Sequence, residues 1–245
     1  MKQILITARL VFQQAWRGNL LPGMLLVMLP LFYAAWAFET ANPGFQTGFI
    51  ADVSGSAMTI IAGLLVVVLG YEHFYWPASQ HTPWFYFSRI GKRSYFAAGR
   101  FLGVLAVVFA ALLIAAAVFM VMLRLSEGFW FVSLLTTALL VFYEAALMGA
   151  IFQLLAAFSS KLLATGGLLV IFVSGHNLPG LRASLDFAGV AGDILLAVLP
   201  DLAMFRGAWF SGGDFAVLVS VSLYAILQAL FYLAATGLIL QRRDL

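Results

Sequence analysis

The chain has 245 residues, 64% of them hydrophobic and 9% charged, against roughly 25% charged in an ordinary soluble domain. That composition excludes a soluble protein, and six spans of about 20 residues each leave no stretch near the roughly 100 to 200 residues of an independent catalytic domain. The net charge is only +3 and there is no cysteine, so disulfides, thiolate metal sites and cysteine nucleophiles are excluded.

Residues 1–18 come first. Ile4, Leu5, Ala8, Leu10, Val11, Phe12, Ala15 and Trp16 share a 3.6-residue period with Lys2, Arg9, Gln13, Gln14 and Arg17, which predicts an amphipathic helix on the membrane surface. No cleavage site follows an early apolar core, so this start reads as retained. A first span is predicted over 20–38, ending before Asn42, Pro43 and Gly44, and a second over 54–71. Residues 72–100 form the longest polar excursion of the first half, rich in aromatic and basic residues. A third span is predicted over 101–123, then a turn at Arg124 to Gly128, and a fourth over 129–158. After Ser159, Ser160 and Lys161 a fifth follows over 162–174, and the last over 215–240.

Residues 176–214 are too apolar for a free loop, yet Pro179, Gly189, Gly192, Pro200 and Gly207 break them. Pieces such as 194–199 are too short to cross about 30 Å of hydrocarbon. Two half-helices dipping into the outer leaflet are therefore expected, with their ends buried in protein or facing water. The fold class expected is an all-α polytopic membrane protein, one transmembrane domain over 1–245. It has six transmembrane helices, an N-terminal interfacial helix and re-entrant outer half-helices before the last span.

Charge sets the expected orientation. With the N-terminus inside, Lys2, Arg9, Arg17, Arg89, Lys92, Arg93, Arg100, Lys161, Arg242 and Arg243 are cytoplasmic, and only Arg124, Arg182 and Arg206 lie outside. Ten against three is a strong positive-inside bias and predicts cytoplasmic termini.

Most enzymatic chemistry is missing. No G-x-x-x-x-G-K-[ST] or H-E-x-x-H run occurs, and His73, His81 and His176 have no metal-ligand spacing. Ser174 and His176 are two apart, about 200° around a helix, and cannot form a dyad by themselves. Glu144 is the one acid deep in a span, and such a group is costly enough to suggest a function. It either serves a pathway or faces the bundle interior and only holds helices together, protonated or bonded to a hydroxyl such as that of Tyr143 or to Gln153. Gly99 with Gly103, and Ala145 with Gly149, are small-xxx-small pairs that point to close helix packing.

The excursion after the second span is different in kind. Residues 76–87 mix Pro77, His81, Thr82 and Pro83 with Trp84, Phe85 and Phe87, a segment able to lie flat and present aromatics to a partner. Thr82, Ser88, Arg89, Arg93, Gly99 and Arg100 then match a T-x(5)-S-[RK]-P-x-[ST]-R-x-x-[YF]-x-x-[GA]-[KR] run. Here the chain resembles the ABC type-2 permease family, the membrane subunits of ATP-driven exporters. The basic end Gln241 to Leu245 and the Leu199-Pro200-Asp201-Leu202 run resemble that family's terminus and extracellular hairpin. Ile90 stands where the family has proline, His81 where it has glycine, and the glutamate the family has just upstream is absent unless Glu72 serves.

The resemblance implies half of a substrate pathway for a hydrophobic or amphipathic cargo in a bacterial-type inner membrane. It implies as partners a second permease copy or paralogue and two cytoplasmic P-loop ATPases, which would bind the ATP and Mg, with no cofactor in this chain and no nucleic acid. Trp84, Phe85, Arg89, Lys92 and Arg93 would make the ATPase contact. The alternative is a stand-alone proton- or ion-coupled carrier with Glu144 as its ion site.

Overall fold

In the computed structural model the residues described are 2–20, 23, 26, 30, 33, 48–74, 93–127, 133–185, 189, 192, 199–205 and 215–242. Among them there are helices and turns and no strand. The helices are α1 (Lys2–Arg17), α2 (Gly48–His73), α3 (Arg93–Glu127), α4 (Ser133–Phe158), α5 (Lys161–His176), α6 (Leu178–Leu185) and α7 (Phe215–Arg242). Four stretches within them, Val53–His73, Tyr95–Arg124, Ser133–Phe158 and Phe215–Gln241, are long and apolar enough to cross a membrane. By that measure the chain is a multi-pass membrane protein, all-helical among the described residues.

The centre of the bundle is α4, which packs on α2, α3, α5 and α7. It is apolar on all sides, as a helix enclosed by others must be, and Leu134, Leu140, Leu147 and Phe152 are fully buried along it. The outward faces stay apolar too: Leu64 on α2, Leu113 and Val121 on α3, Leu169 and Val170 on α5, and Leu227 and Phe231 on α7 are all exposed. Contiguous apolar surface of this kind is a liability in water and the expected exterior in lipid. Hydroxyls inside the helices bond their own backbone, Thr59 to Gly55 O, Thr165 to Lys161 O and Thr236 to Tyr232 O, so an apolar setting leaves them satisfied.

Of the predicted fourth span, residues 129–132 lie outside the described residues and α4 covers Ser133–Phe158. Two helices depart from the spans read from hydropathy: α2 runs over Gly48–His73 rather than 54–71, and α3 starts at Arg93 rather than at 101. Residues 93–100 of the polar excursion are thus helix. Hydropathy marks where a helix is greasy, whereas the backbone ladder continues through polar residues until a cap or breaker ends it.

The predicted fifth span is α5, 16 residues and about 24 Å long, short of about 30 Å of hydrocarbon. Ser160 caps its start by accepting from Leu163 N. Asn177 ends it, with its backbone N–H donating to Val173 O and Ser174 O and its side-chain amide to Val173 O. In the predicted hairpin region the described pieces are the eight-residue α6, the single residues 189 and 192, and the segment 199–205. Most of the predicted first span, 20–38, lies outside the described residues; Leu20, Gly23, Leu26, Pro30 and Tyr33 are helical.

Helix α1 lies against α3 and runs in the same direction. Thr7 meets Gly99 and Val11 meets Gly103, and Thr7, Val11 and Ala15 form its buried stripe. The small-xxx-small pair Gly99 and Gly103 is therefore a close-packing device, and α1 is its partner. Leu5, Ile6, Leu10 and Trp16 remain exposed around the rest of α1.

Candidate functional site

Two places gather polar chemistry. The first is the base of the 72–100 excursion. The C-terminus of α2 leaves backbone carbonyls unpaired and carries the negative end of the helix dipole. Arg100, on the second turn of α3, donates from Nη1 to His73 O at 2.6 Å, a charge-assisted bond that caps α2. Its guanidinium also lies 4.1 Å from the centre of the Phe96 ring. Phe74 packs beside it against Phe101 and Phe152, with ring centres 6.4 and 6.0 Å apart. Gly70 admits this cluster, because a Cβ there would collide with the Phe152 ring. The end of α2 and the second turn of α3 are therefore pinned together at one point, either side of residues 75–92 in the sequence. Lys161, opening α5, lies at the same end, 4.6 Å from the centre of the Tyr71 ring.

Of the residues predicted to contact an ATPase, Trp84, Phe85, Arg89 and Lys92 lie outside the described residues. Arg93 opens α3, and its side chain is likewise outside the description.

The second place is inside the bundle. Glu144 on α4 is 4% exposed, and its Oε1 lies 3.3 Å from Nε2 of His176, the last residue of α5. His176 Nδ1 lies 3.0 Å from Phe172 O, and its ring is 4.5 Å from that of Phe172. Gln153 is not part of this pair. It turns to α3 and donates from Nε2 to Ala97 O at 2.8 Å, while its Oε1 has no hydrogen-bond partner. The reason is angular: nine residues at 100° each put Glu144 and Gln153 on opposite faces of α4.

Sequence reading gave Glu144 a hydroxyl or Gln153 as partner and set His176 aside. A signal was nonetheless present. In a helix hairpin that turns at Ser159 and Ser160, residues equally far from Ser160 are level, and Glu144 and His176 are each 16 away.

Next to the pair, an apolar groove of about 170 Å³ opens between α2, α4 and α5, lined by Thr59, Gly63, Leu64, Met148, Leu168 and Phe172 among others. Met148 and Phe172, which line the groove, are each one helical turn from Glu144 and His176. Beyond His176, the segment 199–205 seals the end of α5. Leu202 N donates to Gly175 O at 3.2 Å, Asp201 N donates to Tyr224 Oη on α7 at 2.8 Å, and Leu202 and Phe205 are wholly buried. Gly175 permits this contact, since a Cβ would stand 2.8 Å from Pro200 O. The Leu199 to Leu202 run singled out in the sequence thus fastens α5 to α7.

Among the described residues no group of three or more His, Asp or Glu could hold a metal ion. No family model matches the chain, and neither does any curated protein.

Proposed function

We propose that the chain is the permease subunit of an ATP-driven transporter of the ABC type-2 kind, an exporter for a hydrophobic or amphipathic cargo, working with a second permease and two P-loop ATPases. The observation that carries this reading is the pinned base of the 72–100 excursion. A push delivered to residues 75–92 would reach α2 through His73 and α3 through Arg100 together, with α1 docked on the same turns of α3. A rigid base is what converts such a push into rocking of whole helices. The basic residues of the excursion and of both termini support a cytoplasmic placement of this end. The short α5 and the break at Asn177 support the reading of 176–214 as a re-entrant element.

The test is capture of an ATPase by the tagged full-length chain from native membranes, scored by nucleotide photolabelling and ATP hydrolysis. Arg89→Glu with Arg93→Glu reverses two charges that would face carboxylates of the ATPase, and losing a buried pair of this kind typically costs about 2 to 5 kcal/mol. The expected result is loss of the captured ATPase with the permease still folded in detergent. Full retention would leave the arginines as lipid anchors worth about 1 kcal/mol each and count against the reading.

A second reading, a proton- or ion-coupled carrier, is favoured by the buried Glu144 and His176 pair. Glu144→Gln separates the two. An ATP-driven permease has no obligatory protonation step in α4 and should keep most of its cargo movement in vesicles supplied with ATP and the captured ATPase. A carrier should lose gradient-driven transport altogether.

A further inference from the structure

The middle of α7 carries a polar group with no hydrogen-bond partner among the described residues. Gln228 lies thirteen residues from either end of the membrane-crossing stretch Phe215–Gln241, about 20 Å along the helix. Its side chain is too short to reach a membrane surface from there. It is half-buried and makes no hydrogen bond among the described residues. By contrast, the Ser220 and Thr236 hydroxyls donate to Val217 O and Tyr232 O, and Tyr224 Oη accepts from Asp201 N. A primary amide has both donors and an acceptor to satisfy, and hydrocarbon offers a partner to neither.

Around the helix, Gln228 stands between buried Tyr232 and exposed Phe231, four and three residues on. Tyr224, Gln228, Phe231, Ala235 and Leu238 recur in alternating steps of four and three residues, the spacing of a seam between two helices. All five are half-buried or exposed. Of the four membrane-crossing stretches that of α7 is the least buried, 22% against 61, 44 and 67% for the others. Lipid tails can cover the apolar members of this flank but cannot bond the amide. A second copy, inserted in the same direction and related by a two-fold axis along the membrane normal, brings its own Gln228 to the same depth. Each amide then meets a donor and an acceptor in its twin. We propose that this flank of α7 is a contact between two copies of the chain, with the two Gln228 amides hydrogen-bonded to each other in mid-bilayer.

The amide pair also sets the register of the contact. Apolar side chains gain little by leaving lipid for a neighbouring helix, because lipid tails are as apolar as they are. One polar group within such a seam is satisfied only where its counterpart lies opposite. Phe231 and Leu238, both exposed, supply packing, and Ala235 leaves room for close approach. The contact shares with the permease reading only the expectation of a second copy, and it needs no ATPase. Failure to capture an ATPase bears on the permease reading alone.

A photoreactive benzoylphenylalanine in place of Phe231, in the full-length chain in its native membrane, reads what covers the flank. It should cross-link to a second copy and give a species of twice the chain's mass. The same group in place of Ile226, exposed on the other flank of α7, should label lipid alone. From position 231, a cross-link to a chain of another mass would give the flank to a different subunit, and labelling of lipid or cargo alone would leave it without a second copy. Either result overturns the proposal, as does equal dimer labelling from both positions. Excitation transfer between donor- and acceptor-labelled copies in bilayers then gives the association constant. Gln228→Leu, which suits both helix and lipid, should weaken association roughly three- to twentyfold, the scale of one cross-helix hydrogen bond in a membrane. An unchanged constant in that variant overturns the amide pairing, whereas the cross-linking result needs no change at Gln228.

Discussion

Gly103→Val should detach α1 from α3. A Cβ at Gly103 would stand 2.6 Å from Val11 Cβ, 2.9 Å from Ala8 O and 3.1 Å from Ala8 Cα. Two of those three neighbours are backbone, so no rotamer change relieves the clash and the helices must separate. Over-packing typically costs about 1 to 3 kcal/mol, and a branched side chain against backbone belongs at the top of that range. Gly99 is equally tight, with Ile4 O at 2.8 Å. Gly63→Ala is the control, since nothing lies within 4 Å of a Cβ there. Because the chain has no cysteine, Ala15→Cys reports the docking: it is 2% exposed and should resist thiol reagents until Gly103→Val is added. Equal protection in both backgrounds, with equal thermal stability in detergent, would refute the docked arrangement.

Breaking the Glu144 and His176 pair from one side should cost more than removing it altogether. Glu144→Leu takes the carboxylate away from Nε2 of a mostly buried imidazole, and His176→Leu takes the imidazole away from a glutamate side chain that is 5% exposed. Removing one partner of a buried ion pair costs about 3 to 5 kcal/mol, whereas replacing both by apolar groups of similar volume is often neutral. The double variant Glu144→Leu with His176→Leu should therefore recover most of what either single change loses. Unfolding in mixed micelles gives the three free energies and their coupling. Simple additivity would mean that the two side chains do not depend on each other.

Either experiment bears on the proposed mechanism. A docked α1 makes the start of α3 a thick lever rather than a lone helix, and a sound joint between α4 and α5 makes the interior move as one body. If α1 detaches in Gly103→Val and ATPase capture persists, the coupling contact lies in residues 75–92 themselves rather than in the α1 and α3 pair.

Much of this architecture was legible in the sequence. Apolar length marked the membrane-crossing stretches of α2, α3, α4 and α7, because the cost of placing polar groups in lipid is paid residue by residue and needs no knowledge of neighbours. Gly99 and Gly103 announced a close helix contact for a similar reason, since only small residues let two backbones meet. What local chemistry could not reveal was the partner. That Gly99 and Gly103 receive α1, that Arg100 caps α2 across the 72–100 excursion, and that Glu144 meets His176 rather than Gln153 are facts about which faces turn toward each other. Those faces are chosen by the packing of whole helices around α4, and the length of α5 by the capping of Asn177 and the docking of Leu202 on Gly175. Hydropathy sums transfer energies along a line, whereas hydrogen bonds and steric fit are satisfied only in three dimensions, and there the tertiary structure alone decides.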